Sequence, residues 1–488
     1  MWLIFVIIAV IVLVGFALTK LIFAKKQKIN RLSQSLAMSL FEVRLPKYEK
    51  KDQDQKQDFK AIIQQMEQVY ASFLYLRKPS FKEKHWGGYQ LPRVALEIAS
   101  KVGESDIAFY IAVPDFMEGA IEKSVQGVFP QAIVEKVPGD YTVFEPQAKV
   151  AGKRVFLKDS FYFPIKTFKN LERDPLSSMT NALSKIKPEE GAAIQIVLKP
   201  SSVDIKEKEE KILSAVVEKG QGVRAAVSQA NRHWLTDSFF AFFSVLFASG
   251  PKQQQQQQER QGKEMQKERT ANDFLIQAIK AKAQEGVFEV NIRLLGVAPE
   301  LSRAEEIAEH LAGSFAQFSG TLNGFKIVKV KKRRLQQFIY DFSFRNFNKK
   351  EKVILNLEEL TSIYHFPMPQ LETPNIKWAK NKETTPPTEF SEAAGVGLNL
   401  IGRSSFRGEE KPISFVSRDD RRRHFYIVGQ TGVGKSTLLR EMIRQDIENG
   451  EGVGVIDPNG DLIENILAII PKERADDVVL FESFDMQR

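Results

Sequence analysis

The sequence predicts a chain of mixed class. An α/β domain built on a phosphate-binding loop lies toward the C-terminal end. It is preceded by α+β units of ferredoxin-like plan and by a membrane-spanning helix at the N-terminus. Three observations carry this reading. Gly429-Gln430-Thr431-Gly432-Val433-Gly434-Lys435-Ser436 fits the spacing G-x-x-x-x-G-K-[ST]. Alternating strand and helix periodicities recur between Tyr89 and Val330. Trp2 to Leu18 is unbroken by charge.

Residues 1–24 are the expected anchor. After Thr19-Lys20 the apolar character resumes through Ala24, and Lys20 is near enough to the end to snorkel. Lys25, Lys26, Lys28 and Arg31 follow, with no acidic residue before Glu42. Positive flanks stay cytoplasmic, so the N-terminus is expected outside and the bulk of the chain in the cytoplasm. A cleaved signal peptide is the competing reading. It lacks a cation ahead of the apolar run and a small-x-small site after it.

Residues 25–84 read as a juxtamembrane helical region. Phe59, Ile62, Ile63, Met66, Val69, Tyr70, Phe73 and Leu74 recur at three and four, an apolar stripe of the kind that docks on a neighbouring domain. Residues 85–250 read as an α+β domain. Strands are expected at 94–100, 106–113, 132–137, 153–158, 161–165 and 192–199, and helices at 115–126 and 205–219. The domain ends in an apolar aromatic segment around Phe239 to Phe247, too short to span a bilayer. Two readings stand for it: a helix buried on a neighbour, or a wedge in the membrane interface.

Residues 251–275, with Gln253 to Gln258, read as a linker or exposed helix. Residues 276–365 read as a second, shorter α+β unit with strands at 288–295 and 325–330 around a helix at 302–315. Lys331-Lys332-Arg333-Arg334 is either a DNA contact or a solvated strand end. Residues 366–394, rich in Pro, Thr, Asn and Lys, read as an extended linker.

Residues 395–488 are the N-terminal part of the nucleotide domain. Segments 398–401 and 413–416 form a hairpin, and His424 to Val428 a buried strand. The loop follows, then a helix to Glu448 stopped by Asn449-Gly450, then strands at 452–456 and 478–481 around a short helix from Asp461. In the loop, Gly429, Gly432 and Gly434 let backbone N–H groups turn inward around phosphates, with Gln430, Thr431, Val433 and Thr437 completing the cradle. Lys435 is expected to reach the β- and γ-phosphates of ATP, and the Ser436 hydroxyl to ligate Mg²⁺. Asp457-Pro458-Asn459-Gly460-Asp461 has two readings. It is a good turn sequence, and it also places the Asp457 carboxylate at the end of a strand beside the strand that leads into the loop, where it would meet the metal's shell or a neighbouring subunit. No later apolar strand ends in Asp-Glu, so the chain is expected to be the first part of a longer protein and inactive alone.

Composition sets the outer bounds. Over 488 residues the net charge is +9, compatible with nucleic acid or an anionic membrane surface. The chain has no cysteine, which excludes disulfides and thiolate metal centres. His85, His233, His310, His365 and His424 are scattered without ligand spacing.

The run from Asp420 through Thr437, with Gly454-Val455-Ile456-Asp457-Pro458-Asn459-Gly460-Asp461-Leu462, resembles the FtsK/HerA superfamily, nearest to the TraD/TraG-type coupling proteins of conjugative type IV secretion. The resemblance implies a RecA-like fold and a homo-hexameric ring in the bacterial inner membrane. It also implies DNA translocation driven by ATP and Mg²⁺, alongside secretion-channel proteins. A membrane scaffold that binds ATP without turning it over, and a protein-secretion motor, are the alternatives.

Overall fold

The computed structural model describes residues 35–47, 58–74, 92–145, 147–201, 203, 205–217, 222–231, 261–379, 399–406, 409–414, 424–430 and 432–481. The expected anchor, Thr431 and the Phe239–Phe247 segment lie outside them. Among the described residues no helix is long and apolar enough to cross a membrane. The chain divides into two compact units, Met1–Lys382 and Glu383–Arg488.

Unit 1 is built on one antiparallel sheet. Its strands are β1 (Met38–Arg44), β2 (Val94–Ser100), β3 (Ile107–Pro114), β4 (Ile133–Lys136), β5 (Lys149–Leu157), β6 (Gly191–Pro200), β7 (Val287–Ala298), β8 (Phe325–Lys329) and β9 (Val353–Asn356). The order is β4-β1-β3-β2-β6-β7-β5-β8, with β9 on the first residues of β7. The two segments read from sequence as separate α+β units therefore share one sheet. Strand β5 of the first segment lies between β7 and β8 of the second. Antiparallel edges pair by register and hydrophobic face, not by nearness in sequence, so periodicity alone could not reveal the interleaving.

The two faces differ in side-chain size. Val94, Leu96 and Ile98 of β2, Phe109 and Ile111 of β3, and Phe288 and Ile292 of β7 point to one face, all buried. That face is covered by α1 (Phe59–Leu74), α2 (Glu118–Val128), α3 (Leu176–Leu183), α7 (Leu301–Ser314) and α9 (Leu357–Ile363). Further helices are α4 (Ile205–Val217), α5 (Val223–Asn231), α6 (Gln261–Gln284) and α8 (Leu335–Ser343). The apolar stripe read on α1 is the buried one: Met66, Val69, Tyr70 and Phe73 are fully covered, and the Tyr70 hydroxyl donates to the Tyr364 carbonyl at 2.7 Å. Helix α7 comes close to the sheet because Gly296 has no Cβ; one built there would lie 2.4 Å from the Ala304 carbonyl oxygen. Helix α9 starts in a capping box between Asn356 and Glu359. The same Glu359 carboxylate takes the Ile165 N–H at 2.9 Å and a buried Lys282 ammonium at 2.8 Å.

The opposite face carries small residues, Ala95, Ala99, Ala108, Ala112 and Ala193, under α8 and Val137, Tyr141, Val143, Phe144 and Ala148. Across it runs a polar rung. Tyr110, Glu97, Gln195, Arg293 and Arg154 are successive register partners on β3, β2, β6, β7 and β5. Gln195 donates to Glu97 at 2.7 Å, and Arg293 donates to Gln195 at 2.7 Å. Arg293 also donates to the Asp341 carbonyl at 3.1 Å and to the Asn346 carbonyl, and Gln195 to the Phe342 carbonyl at 2.9 Å. Burial lowers the Arg293 pKa to about 10, still far enough above neutrality to keep the guanidinium charged. Arg345, at φ 48, turns back under α8. Its guanidinium forks Glu97 at 3.0 Å and Asp140 at 2.8 Å.

Three sequence expectations are corrected. Residues 38–44, read as helical, form β1, whose hydrophobic residues pack between β3 and β4. Residues 161–165 form no strand; Tyr162 and Phe163 instead pack with α4 and α5. Of the two readings of residues 251–275, the described part, from Gln261, is helical, within α6. The first part of the proposed linker is not free chain. Phe366, Met368, Leu371 and Ile376 are buried, and bridges join Pro46 to Ala379 and Ile107 to Ile376. Proline marked a departure from regular structure there, but apolar side chains between the prolines still bury.

Two predictions follow from the packing. Arg345→Met leaves Glu97 charged and fully buried without its fork, and is expected to cost unit 1 about 3–5 kcal/mol. Adding Glu97→Gln should recover much of that loss in chemical denaturation. The second concerns Glu67 on α1, which is half-buried with one carboxylate oxygen unpartnered. Burial, then the Glu285 carboxylate, raises its pKa from 4.5 to about 7. A folded pKa above the unfolded one stabilises below the unfolded value, and that contribution is lost as pH rises through about 7. Glu67→Gln should therefore raise the unfolding temperature by roughly a few degrees near pH 8 and change it little near pH 5.

Candidate functional site

Unit 2 contains the hairpin β10 (Leu400–Phe406) and β11 (Glu409–Ser414), helix α10 (Lys435–Glu448) and helix α11 (Asp461–Leu467). The hairpin is tied to α10 by side chains. Asn399, fully buried, donates to the Met442 carbonyl at 2.9 Å. Gln445 accepts from the Leu400 N–H at 2.8 Å and donates to the Leu400 carbonyl at 3.0 Å. Arg474 closes the other end of α10, donating to the Ile447 carbonyl at 2.9 Å and the Glu451 carbonyl at 3.1 Å. These supporting residues were not read from the sequence. Their one signal is polar side chains inside or just outside an amphipathic helix.

The phosphate-binding loop runs directly into α10. Gly432 (φ 82) and Gly434 (φ 95) adopt the left-handed region that favours glycine, and Gly434 is the N-cap of the helix. A Cβ at Gly429 would lie 2.8 Å from the Val433 side chain. No side chain caps α10 at this end, so its first N–H groups have no capping side chain as partner. Gln430, Ser436 and Thr437 are exposed on the same loop and first turn. Lys435 Nζ donates to the carbonyls of Gly429 at 2.8 Å and Gln430 at 2.7 Å. The ammonium thus lies back across its own loop, against acceptors that phosphate oxygens can replace. Uncapped helix N–H groups, two left-handed glycines and a cation over the loop fit a nucleotide's phosphates.

The three segments read as strands around the loop are corrected. Residues 424–428, 452–456 and 478–481 enter no ladder among the described residues. Tyr426, Ile456, Val479 and Phe481 are 87–98% exposed. A parallel strand is held only by its neighbours, and none of the described residues pairs with these.

Asp457 is committed locally. Its carboxylate accepts the Asn459 N–H at 3.1 Å and the Leu462 N–H at 2.8 Å, across the turn that starts α11. The Leu462 bond, then the Asn459 bond, holds its pKa below the usual carboxylate value, so it stays ionised. Of its two readings, the turn accounts for the contacts seen. Among the described residues no group of three or more His, Asp or Glu side chains is placed to hold a metal ion. His365 is instead bonded to the Thr361 carbonyl at 3.0 Å and to Asp174 at 3.0 Å.

The turn assignment has a direct check. Asp457→Ala should lower the unfolding temperature of unit 2 while leaving the affinity for an ATP analogue unchanged. Asp457→Asn, which keeps one acceptor, should restore most of the stability. A large loss of nucleotide affinity in both variants would point to the metal-shell role instead.

Two family models match the chain. Residues 401–479 match one described as the helicase HerA central domain, and residues 49–379 match a domain of unknown function (DUF8128). No curated protein matches. The first match covers the hairpin, the loop and both helices of unit 2, and a domain of this type implies nucleotide binding. The second covers most of unit 1, including all of its sheet except β1. The chain belongs to the DUF8128 family and carries a P-loop ATPase domain of the HerA/FtsK type.

Proposed function

We propose that this protein is a membrane-anchored motor that translocates DNA with ATP, of the coupling-protein type used in conjugative type IV secretion. In this reading residues 1–24 hold it in the bacterial inner membrane, N-terminus out, and the ATPase domains assemble as a homo-hexamer beside the secretion channel. The observation that carries the reading is the loop at the start of α10. Two left-handed glycines and an uncapped helix end stand together, with Lys435 folded over the loop carbonyls. The HerA-type match places that loop in a superfamily of ATP-using enzymes.

The roles of the residues follow from their chemistry. Backbone N–H groups of residues 432–437 would bind the phosphates, and the positive end of α10 adds to their attraction. Lys435 would exchange two neutral carbonyls for anionic phosphate oxygens, a stronger hydrogen bond. Ser436 would offer its hydroxyl to Mg²⁺, whose charge offsets that of the phosphates when bound.

Lys435→Ala is expected to weaken binding of a fluorescent ATP analogue roughly tenfold to a hundredfold, the loss of one charge-assisted bond. Equal affinity in the two proteins would overturn the nucleotide assignment. DNA-stimulated ATP turnover by the full-length protein, lost in Lys435→Ala, supports the motor. Intact binding with no turnover under any DNA supports the scaffold. Deleting residues 2–24 should release the protein from membranes, and retention there would overturn the anchor.

A further inference from the structure

We infer that the β8 edge of unit 1 and the start of α8 form a nucleic-acid binding surface, separate from the P-loop unit, that grips phosphates without reading sequence. Between Glu309 and Asp341 the chain carries no acidic residue. It carries Lys326, Lys329, Lys331, Lys332, Arg333 and Arg334. The fold gathers all six at one place, because β8 is the last strand of the sheet and the basic turn leads from it directly into α8.

The acidic groups near this edge are already matched. Glu305 pairs with Lys329 at 2.7 Å, Glu309 with Lys153, and Glu351 with Arg154 at 2.9 Å. Lys331, Lys332 and Arg333 are exposed and join no ion pair among the described residues. The charge also stands at the wrong end of a helix. Lys332 to Arg334 precede the first turn of α8, where the dipole is positive, no acidic residue sits in that turn, and no side chain caps it. A cluster that repels itself and opposes the dipole is relieved by an anion with several negative charges. The turn is anchored on both sides. Phe338 of α8 packs where a Cβ on Gly152 would lie, 2.3 Å from the ring, and the Val330 N–H donates to the Gly152 carbonyl at 2.9 Å.

The neighbouring side chains favour a phosphodiester strand over a lipid surface. A membrane-binding helix presents apolar residues that insert. Here Phe338 and Phe342 are buried in the core, and the exposed residues of α8 are Gln336, Gln337, Tyr340 and Ser343. Amide and phenol groups beside arginines suit phosphate and sugar contacts.

The test uses the full chain, without nucleotide, and a labelled oligothymidylate strand titrated at several salt concentrations. Replacing Lys331, Lys332, Arg333 and Arg334 together by Gln should lower affinity about tenfold or more at moderate salt. The salt slope should fall by roughly three, from four cations at about 0.7–0.9 each. The charge-conserving set, Lys331→Arg, Lys332→Arg, Arg333→Lys and Arg334→Lys, should keep both. ATP-analogue binding and the unfolding temperature should be unchanged in both sets, which separates this surface from the P-loop and from misfolding. An unchanged DNA slope in the Gln set overturns the inference. So does loss of binding to phosphatidylserine vesicles with DNA affinity intact, which would assign the edge to a membrane. Equal loss in the charge-conserving set also overturns it, because that loss would come from shape and not charge.

Discussion

The rung formed by Glu97, Gln195 and Arg293 is the constraint on which the rest of unit 1 depends. It sits at the centre of the sheet, and all three side chains are buried. A buried carboxylate and a buried guanidinium are tolerated only when their hydrogen bonds are met. The rung meets all but the Arg293 Nε by drawing in the C-terminal carbonyls of α8 and the guanidinium of Arg345. The polar face of the sheet therefore specifies one position for α8, where an apolar face would accept several. The small residues around the rung, with Gly152, let the helix come down to that position.

This arrangement links the fold to the surface chemistry. Because the C-terminal end of α8 is pinned by the rung and its middle by Phe338, its basic N-terminal end has little freedom to turn its charge away. The rung and the basic turn lie at opposite ends of one helix. The first resolves buried charge within the protein; the second leaves exposed charge to be resolved by something outside it.

Unit 2 uses the same economy at smaller scale. The Asn399 and Gln445 side chains tie the hairpin to α10 through hydrogen bonds with backbone groups, and Arg474 satisfies carbonyls at the helix C-terminus. Every described support lies on the helix body or its far end. The loop end stays uncapped, with only the Lys435 ammonium lying over it. A helix N-terminus held from behind and left open in front is suited to receive an anion.

Much of the candidate site was legible in the sequence, because the loop is a local object. Its glycines, lysine and hydroxyl act through neighbouring backbone, so their spacing alone dictated the cradle and the helix after it. Most strands of unit 1 were legible too, since alternating residues announce a two-faced sheet. Sequence alone settled most strands of unit 1, the helix after the loop, the polar character of the basic turn and the excluded thiol chemistry. Tertiary structure alone decided the rest: that two apparent domains interleave in one sheet, and that a proline-containing stretch closes its core. Those outcomes depend on partners far away in sequence. Glu97 and Arg345, 248 residues apart, carry no mark of each other until register and packing bring them to 3.0 Å.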